Sequence, residues 1–193
     1  MYEFIQGEIA QLTPTQVVVE AGGVGYSIHI SLNTYTSLNG KPRAKVFTHQ
    51  IVREDAHLLF GFATLAEREL FRNLLSVNGV GAATALMMLS SLSTEEIASA
   101  ITTDNVNLLK SVKGIGLKTA QRIIIELKDK MGKVAAAGQI LIPSGNTIQN
   151  EALSALVMLG FARKDAEKAI AGILKEQPGL NVEIVIKHAL KRL

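Results

Sequence analysis

Leu74-Leu75-Ser76-Val77-Asn78-Gly79-Val80-Gly81-Ala82-Ala83-Thr84-Ala85-Leu86 recurs 35 residues later as Leu109-Lys110-Ser111-Val112-Lys113-Gly114-Ile115-Gly116-Leu117-Lys118-Thr119-Ala120-Gln121, with seven of the thirteen pairs identical. In each copy helix-forming residues precede a Gly-apolar-Gly triplet and an apolar helical pattern follows it. Each copy therefore reads as helix, tight hairpin, helix. Glycine at both ends of the triplet permits positive φ and removes the side chains that would keep another molecule from the backbone. The N–H groups left facing outward open the second helix, whose N-terminal dipole favours negative charge, so each hairpin is suited to hold a phosphate oxygen.

A lone Gly-x-Gly matches many turns, and the plain alternative for two copies is a repeat that only packs a small helical domain. Charge argues against that alternative. Residues 105–125 carry four basic side chains, Lys110, Lys113, Lys118 and Arg122, and no acidic one, whereas residues 73–93 carry no charge at all. The second hairpin thus has a basic mouth. The first has to rely on backbone N–H groups and on Asn78 and Thr84.

The 193 residues leave room for two or three small domains. The absence of cysteine excludes disulfides and thiolate metal sites, and the sequence has neither a secretory leader pattern nor an apolar run long enough to span a bilayer. A soluble, cytoplasmic protein with no membrane partner is expected. Net charge is +3, but residues 1–64 carry four basic and five acidic side chains against sixteen and twelve in residues 65–193. The positive excess lies outside the first domain, which suits a polyanionic partner.

Five or six short strands are expected in the first sixty residues, over 4–9, 16–21, 26–31, 44–51 and 58–62, where β-branched and aromatic residues concentrate. Turn signals at Thr13-Pro14, Gly22-Gly23, Asn39-Gly40 and Lys41-Pro42 favour a small closed barrel of the oligonucleotide-binding (OB) type. His29 and His49 read as ordinary strand residues, and no metal site is expected. Between the last two strands, Val52-Arg53-Glu54-Asp55-Ala56 reads as a charged hairpin tip, with a solvated turn as the plain alternative.

Thr64 caps a helix with Glu67 at the capping-box position, and Ser93-Thr94-Glu95-Glu96 starts another. The helix leaving the second hairpin is expected to end near Lys130. Residues 132–149, with Gly132, Gly138, Pro143, Ser144 and Gly145 breaking the periodicity, read as a flexible linker. Three amphipathic segments over 151–159, 163–175 and 181–193 then form a small bundle. The expected fold is β then α: an OB barrel over 1–63, a tandem helix-hairpin-helix domain over 64–131, the linker, and a three-helix, ubiquitin-associated-like bundle over 150–193.

Taken together the chain resembles the RuvA family, the Holliday-junction-binding subunits of the bacterial branch-migration machinery. The most specific stretches are Gly-Gly-Val-Gly-Tyr (22–26), Phe-Thr-His-Gln-Ile-Val-Arg-Glu-Asp-Ala (47–56), Leu-Phe-Gly-Phe (59–62), Asn-Gly-Val-Gly (78–81), Gly-Ile-Gly-Leu-Lys-Thr-Ala (114–120) and Ala-Leu-Val-Met-Leu-Gly-Phe (155–161). The resemblance implies a homotetramer that holds a four-way DNA junction open and recruits the hexameric ATPase motor RuvB, with the junction resolvase RuvC as a further partner. It implies no cofactor of the chain's own, ATP being used by the motor. Glu54 and Asp55 match the acidic pin; the backbones of Gly79, Val80 and Gly81 and of Gly114, Ile115 and Gly116 match the phosphate cradles. Lys118, Thr119 and Arg122 match the polar positions beside the second cradle. Leu156, Leu159 and Phe161 match the apolar patch that meets the motor. One departure stands out: a lysine commonly follows the family's first Gly-x-Gly, where this chain has Ala82 and Ala83.

The function expected is structure-selective DNA binding without catalysis. The rival from another class is a helix-hairpin-helix glycosylase or nuclease, which would need a catalytic carboxylate beyond the second hairpin, Asp129 being the nearest candidate. A protein-interaction adaptor would explain only residues 151–193. Because nothing in the hairpins would read base edges, binding should ignore sequence and weaken steeply with salt. Lys118→Ala should lower the log–log salt slope by about one for each subunit that grips a phosphate with this lysine. Salt titrations of both proteins against one junction measure that difference.

Overall fold

The computed structural model describes residues 1–138, 147–177 and 179–193, with side chains left out at 129–138 and 147. Five strands, β1 (Phe4–Thr13), β2 (Gln16–Ala21), β3 (Val24–Ile30), β4 (Arg43–Val52) and β5 (His57–Phe62), close a barrel in the order β1-β2-β3-β5-β4. The long β1 serves both neighbours: its first half pairs with β4 and its second with β2, and an irregularity between Ile9 and Gln11 gives the bend this requires. β3 and β5 pair in parallel, His29 with Phe60 and Ile30 with Gly61, and close the ring. Ile5, Val17, Val19, Ile28, Ile30 and Val46 fill the interior.

A helix not expected from the sequence, α1 (Leu32–Leu38), joins β3 to β4. Ser31 caps it, and Leu38 is its one buried apolar residue. Polar bonds hold it instead. The buried Glu67 carboxylate accepts from Ser31 Oγ at 2.6 Å, from Thr34 Oγ1 at 2.8 Å and from the Ala63 N–H at 3.2 Å. Four helices follow in the same unit before the last and longest: α2 (Leu65–Leu75), α3 (Ala82–Ser91), α4 (Thr94–Thr102) and α5 (Val106–Lys110), then α6 (Leu117–Gly138). Thr64 caps α2 as expected, but Glu67 is spent on α1 and Ala63 and so does not complete the expected box; at α4 both halves of the Ser93/Glu96 box form.

Barrel and helices form one compact unit, Met1–Ala135. The change from strand to helix near residue 63 is therefore no gap in packing. Along β5, Phe60 and Phe62 point out of the barrel while Gly61 points in, where an added Cβ would lie 2.5 Å from Ile28 and 2.6 Å from Val46. Outside, the Phe71 ring of α2 sits 5.2 Å from that of Phe60 and 4.9 Å from that of Phe62. The same core continues through Leu74, Val77 and Leu89 to Leu109, Ile123 and Leu127. Beside it, Arg68 donates to the Glu3 carboxylate at 2.7 Å and holds it below its usual range. Arg72 reaches His49 Nδ1 at 3.4 Å, and burial followed by the charge of Arg72 pushes that imidazole down. His29 lies against Phe60, and among the described residues no group of three or more His, Cys, Asp or Glu side chains is placed to hold a metal ion.

α6 runs past its expected end near Lys130 because Ala135, Ala136 and Ala137, which carry no amphipathic period, are strong helix formers. Residues 139–146 of the expected linker, with Pro143, Ser144 and Gly145, lie outside the described residues. The second unit, Ala136–Leu193, is a three-helix bundle of α7 (Thr147–Met158), α8 (Arg163–Glu176) and α9 (Val182–Ala189) around Leu153, Leu156, Ile170, Ile173 and Val185. No described helix is long and apolar enough to cross a membrane.

Phe71 is fully buried at the joint between barrel and helices. Phe71→Ala should lower the stability of the first unit by about 3–5 kcal/mol through lost transfer energy and the cavity left behind. In denaturant the barrel and helical signals of this unit should shift together, while the second unit's transition stays in place.

Candidate nucleic-acid interface

The two hairpins are near copies in geometry as well as sequence. Gly79 and Gly114 both have φ of 91°, the left-handed region that a side chain strains. Val80 N–H bonds Val77 O at 3.0 Å, and Ile115 N–H bonds Val112 O at 3.1 Å. Ser76 Oγ donates to Asn73 O and Ser111 Oγ to Leu108 O, each at 2.7 Å. The middle residues, Val80 and Ile115, are buried and anchor the turns in the shared core.

The hydrogen bonds divide the backbone groups of each turn. The N–H groups of Val80 and Ile115 are used inside the turn, so these residues shape the cradle without lending a donor to it. The N–H groups of Gly81, Ala82 and Ala83 and of Gly116, Leu117 and Lys118 meet no acceptor among the described residues. Each set opens a helix, α3 or α6. Gly79, Gly81, Gly114 and Gly116 are all exposed, and an added Cβ at any of them would meet nothing within 4 Å. The open side is therefore free for a ligand.

Asn78, Lys110, Lys113 and Lys118 are exposed around these turns, and Thr119 is half-buried beside the second. Lys118 has its counterpart in exposed Ala83, whereas the position of buried Ala82 is taken in the second copy by Leu117, 51% exposed. Arg122 does something the sequence did not announce: its Nη1 donates to the Asn78 carbonyl of the other hairpin at 3.1 Å. Its Nε lies 3.8 Å from Glu126 Oε1 on its own helix.

Between β4 and β5, Arg53 N–H closes a tight turn onto Ala56 O at 2.8 Å. Glu54 and Asp55 stand at its tip, exposed and without an ion pair among the described residues. Ile51 and Leu58 at the base of the hairpin pack against the core that holds Val80 and Ile115 of the two Gly-x-Gly turns. Acidic tip and Gly-x-Gly turns thus belong to one compact unit.

In the second unit Gly160, at φ 96°, ends α7: its N–H bonds Val157 O at 3.0 Å and the Phe161 N–H bonds Leu156 O at 3.1 Å. Leu156 is fully buried and belongs to the core of the bundle, so it is not part of an exposed patch as expected. The helical period places it inward of its neighbours. Leu159 is 61% exposed, and Met158, which sequence reasoning passed over, is 88% exposed. Phe161 is half-buried and lines an open cleft of about 480 Å³ with Asp165, Lys168 and Arg192. The side chain of Asp129, the candidate for catalysis, lies outside the described residues.

Family models match the chain in three parts. One described as the RuvA N terminal domain covers residues 1–61, one described as a SAM-like helix-hairpin-helix tandem covers 71–129, and one described as the RuvA C-terminal domain covers 147–193. Proteins named Holliday junction branch migration complex subunit RuvA are similar over their whole length. That of Bacteroides fragilis is 52% identical over 201 residues, that of Bacteroides thetaiotaomicron 50% over 201 and that of Christiangramia forsetii 48% over 193, each match covering all of both chains.

The geometry separates the two glycines of a cradle. Gly81 has φ of −88°, which any residue adopts, so Gly81→Ala should change stability by less than about 1 kcal/mol and still weaken DNA binding by placing a methyl group where phosphate approaches. Gly79→Ala should instead cost about 1–2 kcal/mol through its left-handed backbone. Denaturation and DNA titration of the two variants measure this division directly.

Proposed function

The chain belongs to the RuvA family, and on that basis we propose that it binds four-way DNA junctions as a homotetrameric platform for branch migration in recombination and repair. The observation that carries the reading is the combination of two hairpins of equal geometry with an acidic tip on the same core. Each hairpin grips a phosphate through N–H groups at a helix start, the second with Lys118 and Thr119 beside it. Four subunits around a junction place these grips along the arms and the tips at the centre.

Glu54 and Asp55 add nothing to affinity for a polyanion. A carboxylate about 6 Å from a phosphate is repelled by roughly 2–3 kcal/mol at an effective dielectric near 20, before salt screening. Continuous duplex crossing the centre meets that repulsion. An open junction leaves a hole there, so the acids stand in the gap, oppose stacking of the arms and part the strands. Selectivity then arises because wrong substrates lose more than the right one.

The bundle of the second unit recruits the RuvB motor through Leu159 and Phe161, with Met158 extending the exposed apolar edge. RuvC is a further partner of the assembled complex. On this reading the chain has no catalytic residue or cofactor, works in the cytoplasm, and leaves ATP hydrolysis to the motor. The glycosylase or nuclease alternative would rest on Asp129 alone, and no feature of the described residues of the first unit favours it.

The double variant Glu54→Gln, Asp55→Asn should fold normally and bind plain duplex more tightly than the wild type does, with a smaller gain for the junction. Parallel titrations of both DNAs give the ratio. An unchanged ratio in the folded variant would return these residues to a solvated turn.

A further inference from the structure

The two cradles have matching backbones and unequal charge. Residues 73–93 contain no charged side chain, so the first hairpin has no cation of its own, while Lys110, Lys113 and Lys118 surround the second. Arg122 is the exception in its placement. It sits on α6, beyond the second hairpin, yet its guanidinium reaches the Asn78 carbonyl at 3.1 Å, within the first turn and three residues before the Gly81 N–H.

We propose that Arg122 is the phosphate-binding cation of the first hairpin rather than the second. This rests on the reading of the hairpins as phosphate clamps. One N–H of the guanidinium is used on Asn78 O, which fixes the group at the mouth of the first turn. The side chain remains 51% exposed, so the rest of the fork can meet a phosphodiester oxygen held by the Gly81, Ala82 and Ala83 N–H groups. Glu126, 3.8 Å from Nε, lies along α6 and is the carboxylate that the phosphate has to outcompete. The arrangement runs one way only: the position 35 residues before Arg122 is Met87, which returns no charge to the second hairpin. Arg122 thus compensates for alanine at position 83, where a lysine would otherwise stand as Lys118 does in the second copy.

The test is a double-variant cycle on the full-length chain, titrating a four-way junction over a range of salt. Arg122→Gln should lower the log–log salt slope by about one for each subunit on the DNA. Ala83→Lys puts a cation directly on the first hairpin. Its gain in affinity should be larger, by roughly fivefold, in the Arg122→Gln background than in the wild type, because Arg122 already neutralises that phosphate. In the Lys118→Ala background the gain should equal the wild-type gain, since Lys118 serves the other hairpin. Equal gains in all three backgrounds, or an unchanged slope in Arg122→Gln, would overturn the assignment while leaving the clamps in place. A wild-type chain whose junction binding does not depend on salt would overturn the clamps and this assignment together. Arg122→Lys, which keeps the charge and removes the fork, guards against misfolding: it should keep the slope and bind less tightly than the wild type.

Discussion

Phe71 packed against Phe60 and Phe62 is the joint on which the first unit depends. A barrel of this size fills its interior with small aliphatic side chains and has little core to spare, so the outer face of β5 makes a second one with α2. Both hairpins are anchored in that second core, the first by Val77 and Val80 and the second by Val112 and Ile115. The consequence is geometric. The base of the acidic hairpin, through Ile51 and Leu58, touches the same core, so the acidic tip and both Gly-x-Gly turns are positioned by one set of packed side chains.

Attraction and repulsion are also divided by chemistry. On the proposed function, the cradles act through N–H dipoles at helix starts, which follow the backbone and need no side chain to be positioned. The acids act through full charge, whose effect extends over several ångströms and is screened by salt. The proposed function therefore assigns affinity to backbone geometry assisted by a few cations, and selectivity to two exposed carboxylates on a tight turn. Either can be altered without the other, because the turn at Glu54 and Asp55 and the turns at Gly79 and Gly114 share no hydrogen bond.

The parts of this account governed by local pattern were legible in the sequence. Four of the five strands lie within about two residues of their expected ends, the first being longer, and both hairpins fall where the repeat puts them, since alternation and Gly-x-Gly act over neighbouring residues. The parts governed by distant contacts were not. Helix α1 is only seven residues long, buries little beyond Leu38, and is held by Glu67, 33 residues beyond Thr34, so neither segment announces the other. Glu67 looked like half of a capping box until that partner drew it away. Leu156 sits in the same motif as exposed Leu159, and only the packing of α7 against its bundle tells them apart. Arg122 looked like a neighbour of the second hairpin because it is close in sequence; its bond to Asn78 spans 44 residues.

The central claim is that one packed unit recognises the shape of a four-way junction by gripping its arms and excluding continuous duplex from its centre. It is tested most directly by titrating the full-length wild-type chain with a four-way junction and with a linear duplex of the same sequence and length at moderate salt. The account predicts far tighter binding to the junction, with both affinities falling steeply as salt rises. Equal affinity for the two DNAs would contradict it.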